Sequence, residues 1–167
     1  MQRAGDRSRQ DDPVEIVEAT EEQYQDIAKL VSSPEELYLI YPSGNYPWDV
    51  SQLTKLAEVR PNFTVCIVQE EIAAFANLYN VIPGESAFIG NVIVSEKYKG
   101  QGIGKRLTQH MMKICREQYQ SVPHLSVFGF NARALLMYAS LGFKPYDVEP
   151  RKNLKGDIVA LIHMRHV

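Results

Sequence analysis

The stretch NVIVSEKYKGQGIGKRL constrains this chain more than any other. An apolar, β-branched run ends at Val94, and Gly100, Gly102 and Gly104 then stand at alternate positions. Beyond them Ile103, Leu107, Met111, Ile114 and Cys115 recur at threes and fours. The first pattern is that of a buried strand and the last that of one apolar helix face, so a strand, a glycine turn and a helix are predicted in direct succession. Glycines between two such elements let the backbone approach a ligand closely and leave several amides unpaired, while the helix N-terminus adds its field. The guest that suits such a turn is a pyrophosphate.

The charges agree once they are read by position. Lys+Arg 18 against Asp+Glu 20 gives a net charge of -2, too even to mark nucleic acid or an anionic membrane as a partner. Yet between Lys97 and Arg116 six basic residues (Lys97, Lys99, Lys105, Arg106, Lys113, Arg116) meet no acid, whereas Asp11 to Glu36 carries nine acids and one Lys. Two familiar phosphate motifs fail on the letters. A dinucleotide fingerprint starting at Gly100 would need glycine where Lys105 stands, and a Walker A motif ending at Gly104-Lys105 would need glycine at position 99 and Ser or Thr at 106, where Lys99 and Arg106 stand.

The rest of the chain reads as one domain. Its 167 residues, 45% hydrophobic and 23% charged, suit a single soluble globular unit. Residues 1–13 offer almost nothing to a core and are predicted to be a polar tail before a domain over 14–167. VEIVEAT predicts a strand running into a helix over Glu21 to Val31, with Thr20 and Gln23 spaced as a capping box. Ser33 and Pro34 start a second helix and DVSQLTKLAEVR forms a third. In the aromatic loop between these two, Tyr41, Tyr46 and Trp48 either line a pocket or cover the helices. FTVCIVQ, EIAAFANLYNV and SAFIGNVIV predict three strands in antiparallel succession, HLSVFGF another, ARALLMYASLGF a short helix ended by Gly142, and PYDVEP with DIVALIHMR a final pair. The fold class predicted is therefore α/β (α+β): one domain with a central mixed, mostly antiparallel sheet of six to seven strands flanked by helices.

Cys66 and Cys115 are too few for a disulfide scaffold and have no metal spacing, so they read as reduced core thiols. The longest apolar run, Ala134 to Ala139, has 6 residues where a bilayer span needs about 20, and residues 1–13 hold no signal-like apolar core. The expectation is a soluble, cytoplasmic protein, with no membrane partner. His110, His124, His163 and His166 form no metal-ligand spacing, and no serine has a G-x-S-x-G context.

The run K-G-Q-G-I-G at Lys99 to Gly104 resembles the signature of the GNAT superfamily of acyl-CoA-dependent N-acyltransferases, Gln/Arg-x-x-Gly-x-Gly/Ala. Gly102 and Gly104 match it, and Lys99 stands where the family has Gln or Arg. Downstream, N-A-R-A-L-L-M-Y-A-S-L-G-F is similar to the family's second cofactor segment, with Asn131, Ala134, Tyr138, Gly142 and Phe143 at the family's intervals. The likeness extends over roughly Val14 to His166. It implies an N-acetyltransferase that moves an acetyl group from acetyl-CoA to a primary amine by direct attack on the thioester. The acceptor would be a small amine or else a peptide N-terminus or lysine.

By the same resemblance, the main chain of Val92, Ile93 and Val94 would hold the pantetheine arm like a further strand. The amides of Gln101, Gly102, Ile103, Gly104 and Lys105 would cradle the pyrophosphate, with Lys99 and Gly100 also in the cofactor-binding run, Asn131 would support the pantetheine chain, and Tyr138 would protonate the departing sulfur. For the base, Glu70, Glu71 and Glu96 stand near strand ends, and Tyr79, Asn80 and Asn91 would otherwise organise a water; an acceptor of low pKa needs no base. A noncatalytic acyl-CoA-binding or regulatory module is the rival reading. Exposed edge strands would allow a homodimer.

Overall fold

The computed structural model describes residues 13–167, so all but Pro13 of the expected tail lies outside the described residues. In chain order the elements are β1 (Val14–Glu18), a 3-10 turn (Glu21–Gln23), α1 (Tyr24–Ala28), α2 (Pro34–Ile40), α3 (Val50–Val59), β2 (Thr64–Val68), β3 (Glu71–Ile82) and β4 (Ser86–Val94). A second 3-10 turn (Glu96–Tyr98), α4 (Ile103–Tyr119), β5 (Val122–Phe128), α5 (Ala132–Ser140), β6 (Lys144–Lys152) and β7 (Ile158–Arg165) follow. The strands form one sheet in the order β1-β2-β3-β4-β5-β7-β6. Only β4 and β5 run parallel; every other neighbouring pair is antiparallel. This is the predicted mixed sheet, with seven strands.

Side-chain alternation along the central strands builds a core on each face. Val65, Phe75 and Ile93 point toward α1 to α3 and pack with Ile27, Leu53 and Leu56. Cys66, Ala74, Ala76 and Leu78 point the other way, to Leu107, Met111 and Cys115 of α4. The small alanines of β3 leave room for that helix to lie close to the sheet. Both cysteines are buried and unlinked, and burial pushes each thiol up to about 12.

Caps start the helices where the sequence placed them. The Ser33 hydroxyl accepts from the Glu36 amide at 3.1 Å, and the Asp49 carboxylate accepts from the Gln52 amide at 2.9 Å. The first helix is shorter than predicted. The Gln23 side chain accepts from the Thr20 amide at 2.9 Å as a capping box requires, but a 3-10 turn comes first and the α-helix ends at Ala28. Leu30 and Val31 lie in the turn and coil that follow and are buried in the α1 to α3 core, so tertiary burial claims the residues that periodicity assigned to another helical turn.

The feature that positions the site is a split in the sheet. β4 pairs with β5 only from Ser86 to Ile89, opposite Val122 to Leu125. Beyond that the β3–β4 register slips by one residue between Phe75↔Ile93 and Asn77↔Gly90, and Asn91 takes a φ of 51°. Such a bulge bends its strand. β5 meanwhile continues along β7 to Phe128. The two parallel strands therefore part toward their C-terminal ends, the place where open α/β sheets bind ligands.

Candidate active site

The split holds two contiguous cavities of about 500 and 440 Å³, which share Leu39, Ile40, Val92, Asn131, Ala134 and Tyr138. Most of the first lobe's wall is predicted cofactor residues: Val92, Ile93 and Val94 of β4; Lys99, Gly100, Gly102, Ile103, Gly104 and Lys105 at the turn; Asn131 and Tyr138 of the α5 segment. Gln101 is not part of that wall.

Local chemistry explains the turn. Gly100 and Gly102 have φ of 78° and 80°, a region that costs an L residue about 1–2 kcal/mol. Gly102 caps α4 without a side chain, so the amides of the first helical turn keep no intrahelical or capping partner. A Cβ on Gly104 would lie 3.2 Å from Val94 Cγ2 and 3.7 Å from Met137 Sδ, so glycine keeps the gap between turn and strand open. Lys99 is engaged elsewhere: its ammonium lies 2.6 Å from Glu96 and 3.1 Å from Glu36. Its pKa is raised because those two carboxylates outweigh the opposing effect of burial. Asn131 caps α5, its carbonyl oxygen accepting from the Ala134 amide at 3.4 Å.

Tyr138 stands where the lobes meet, 7% exposed and edge-on to Phe143 at 6.1 Å. Burial pushes its phenol well above the ordinary range, so the hydroxyl stays protonated and able to donate.

The second lobe is built from side chains of distant segments. Arg60, at the end of α3, donates from Nη1 to Asn91 Oδ1 at 2.8 Å and Asn77 Oδ1 at 3.2 Å, and stacks over Tyr79 at 4.3 Å. Asn91 in turn donates to the Ile40 carbonyl at 2.7 Å, tying the bulge to α2. Gly90 makes room for this group: a Cβ there would come within 2.6 Å of Arg60 Nη1. On the opposite wall Ser126 Oγ lies 2.6 Å from His163 Nδ1, and His163 Nε2 lies 3.1 Å from Glu149 Oε2.

The carboxylates proposed as bases from sequence are elsewhere. Glu71 accepts from Lys97 at 2.8 Å and from the Tyr98 hydroxyl at 2.5 Å, Glu96 binds Lys99, and Glu70 sits in the β2–β3 turn with a φ of 64°. These three line neither lobe, whereas Tyr79, Asn80 and Asn91 line the second. The aromatic loop divides: Tyr41 lines the second lobe, Trp48 is buried in the helical core at 4% exposure, and Tyr46 is exposed. Sequence reasoning missed Arg60, Ser126 and Glu149 and weighed His163 only as a metal ligand. The available signal was a polar residue breaking an apolar strand pattern, Ser126 in HLSVF and His163 in VALIHMR.

The sheet split between parallel strands thus carries an amide-rich turn in one lobe and a chamber of polar and aromatic side chains in the other. The sequence matches the Acetyltransferase (GNAT) family over residues 18–143, and the chain belongs to that family. It is 27% identical over 77 residues to the thialysine N-epsilon-acetyltransferase of Bos taurus, a match covering 46% of this chain and 44% of that protein. The matched segment thus spans less than half the length of that curated relative. The fold is similar to the ribosomal-protein-alanine N-acetyltransferase of Brucella melitensis (TM-score 0.74, 19% identity, 92% of this chain and 99% of that one). It is also similar to a Salmonella typhimurium protein solved with its cofactor acetyl-CoA (TM-score 0.73, 17% identity, 91% of this chain and 92% of that one).

Proposed function

We propose that this chain transfers the acetyl group of acetyl-CoA to the primary amine of a small molecule, with the thioester in the first lobe and the amine in the second. The observation that carries this reading is the junction: the two lobes share Tyr138 in their walls, a phenol held protonated where a departing thiolate would need a proton. Main chain of Val92 to Val94, freed from β5 by the bulge, offers hydrogen bonds to the pantetheine arm and a donor to the thioester oxygen as its charge grows. The unpaired amides at the start of α4 receive the pyrophosphate. Holding both reactants in one cleft supplies most of what direct attack on an activated acyl group requires.

The acceptor lobe favours a small amine. Its 440 Å³ falls within the range of small-molecule sites, roughly 300–1,000 Å³, and Tyr41, Tyr79, Phe88 and Phe128 wall it with aromatic surface. The test is thiol release from acetyl-CoA, measured with small primary amines and with short peptides. Amine-dependent release, greatest with the small amines, is expected. Tight acetyl-CoA binding with no amine-dependent release would overturn the enzymatic reading in favour of a binding module, and release with peptides alone would overturn the acceptor class.

A further inference from the structure

We infer that Ser126, His163 and Glu149 form a proton relay that deprotonates the incoming ammonium; this rests on reading the second lobe as the acceptor chamber. The three residues come from β5, β7 and β6, neighbours in the sheet only because β7 inserts between the other two. Ser126 and His163 are register partners, and Glu149 pairs with Leu161, two residues from His163, so strand alternation sets all three on one face. All three line the second lobe.

The hydrogen-bond chain has a direction. His163 and Arg151 hold the Glu149 carboxyl below its ordinary range, so it is ionised at neutral pH and only accepts. The proton it accepts belongs to His163 Nε2, which leaves Nδ1 as the acceptor for the Ser126 hydroxyl at 2.6 Å. The Tyr79 hydroxyl shares a hydrogen bond with Ser126, which leaves one serine lone pair to meet a donor in the chamber. An ammonium there passes a proton to Ser126 Oγ as Ser126 passes its own to His163 Nδ1. Other groups lining the chamber are poor proton acceptors: Arg60 and Arg151 are cations, and burial keeps the Tyr79 and Tyr138 phenols protonated.

On β3, the Tyr79 hydroxyl is hydrogen-bonded to Ser126 and burial keeps it protonated; the groups on the other packed elements leave the relay in place. On β6, Asp147 is the register partner of His163, but its carboxylate accepts from the Val148 amide at 2.9 Å; the Tyr146 ring lies 6.2 Å from that of His163. On β5, His124 meets the Tyr146 hydroxyl at 3.0 Å, and on β7, Arg165 stacks over the Tyr146 ring at 5.0 Å.

The protons balance. The first ammonium proton leaves through Ser126 to His163 and on to water. The neutral nitrogen then forms its bond to the carbonyl carbon while the carbon–sulfur bond breaks. Tyr138 gives the sulfur its proton and recovers one from the new amide nitrogen, so each turnover releases one proton.

A relay matters only for amines that arrive protonated. Transfer by the full chain to ethylamine, glycinamide and trifluoroethylamine, in falling order of basicity, therefore tests it. With His163→Gln at neutral pH, transfer to ethylamine should fall by about 100-fold and transfer to trifluoroethylamine by less than about threefold, with the acetyl-CoA KM unchanged. The ethylamine rate should recover as pH rises. Ser126→Ala should give the same ordering, and if His163→Gln fails to fold, Glu149→Gln carries the test with a smaller loss in that ordering. Equal losses on all three amines, no loss on ethylamine, or an acetyl group captured on Ser126 would overturn the relay. Failure of the unaltered protein to acetylate any of the three overturns the acceptor-chamber reading, and the relay with it.

Discussion

The first lobe takes about half of its wall from two stretches close in sequence, β4 from Val92 to Val94 and the turn from Lys99 to Lys105, and the rest from α2 and the α5 segment. The second draws Arg60, Tyr79, Ser126, Glu149 and His163 from five separate segments. A main-chain surface tolerates many side chains as long as the glycines and the helix start are kept. A side-chain surface is set by what each strand happens to present. The comparison teaches that one half of this cleft leans on local backbone geometry and the other on side chains gathered from distant strands, with Tyr138 common to both.

The largest effect should come from that shared residue. Tyr138→Phe removes the proton donor without changing shape, and kcat should fall about 100-fold, a loss of about 2.7 kcal/mol, while the acetyl-CoA dissociation constant moves less than about twofold; steady-state kinetics with a binding titration check both. A rate within about threefold of the parent would take Tyr138 out of the chemistry.

Next comes the floor of the second lobe. Asn77 is fully buried, accepting from Arg60 and donating to Asn91 at 2.7 Å, so Asn77→Ala leaves buried polar groups short of partners. A loss of about 2 kcal/mol is expected, seen as a drop of about 5 °C in Tm, with the amine KM rising and the acetyl-CoA KM unchanged. A rise in the acetyl-CoA KM instead would show that the lobes are not separable.

Gly104→Val probes the other side by filling the gap to Val94 and Met137. The acetyl-CoA KM should rise about tenfold, about 1.4 kcal/mol, with the amine KM unmoved. The smallest effect is predicted for Lys99→Ala. Its ammonium is engaged by Glu36 and Glu96, so the acetyl-CoA KM should change less than about threefold; a tenfold rise would mean that the side chain, rather than the backbone around it, holds the ligand.

These lobes also differ in how much of them the sequence disclosed. The turn, α4 and the start of α5 were legible because each rests on local rules: glycine at positive φ, apolar residues at threes and fours, Asn131 ahead of a helical run. Glu70, Glu71 and Glu96 drew attention as carboxylates near strand ends, and the structure gives Glu71 and Glu96 to lysines on the surface. Trp48 and Tyr41 are near in sequence and chemically alike, yet one fills the core and the other faces the chamber. Nothing local separates them; Trp48 packs edge-on against Phe75 of β3, 6.2 Å between ring centroids, while Tyr41 follows α2 at the wall of the second lobe.

The amino-acid sequence alone determined the α/β plan of a mixed, mostly antiparallel sheet and the glycine turn, because strand alternation, helix periodicity and backbone permissiveness act over a few residues, and its two motif segments carried the family resemblance. Tertiary structure decided the chamber. A bulge at Asn91 opened β4 from β5, and the insertion of β7 between β5 and β6 put residue 126 against 163 and 149. Strand order and register are set by burial summed over the whole sheet, so contacts between residues dozens of positions apart cannot be read from either neighbourhood.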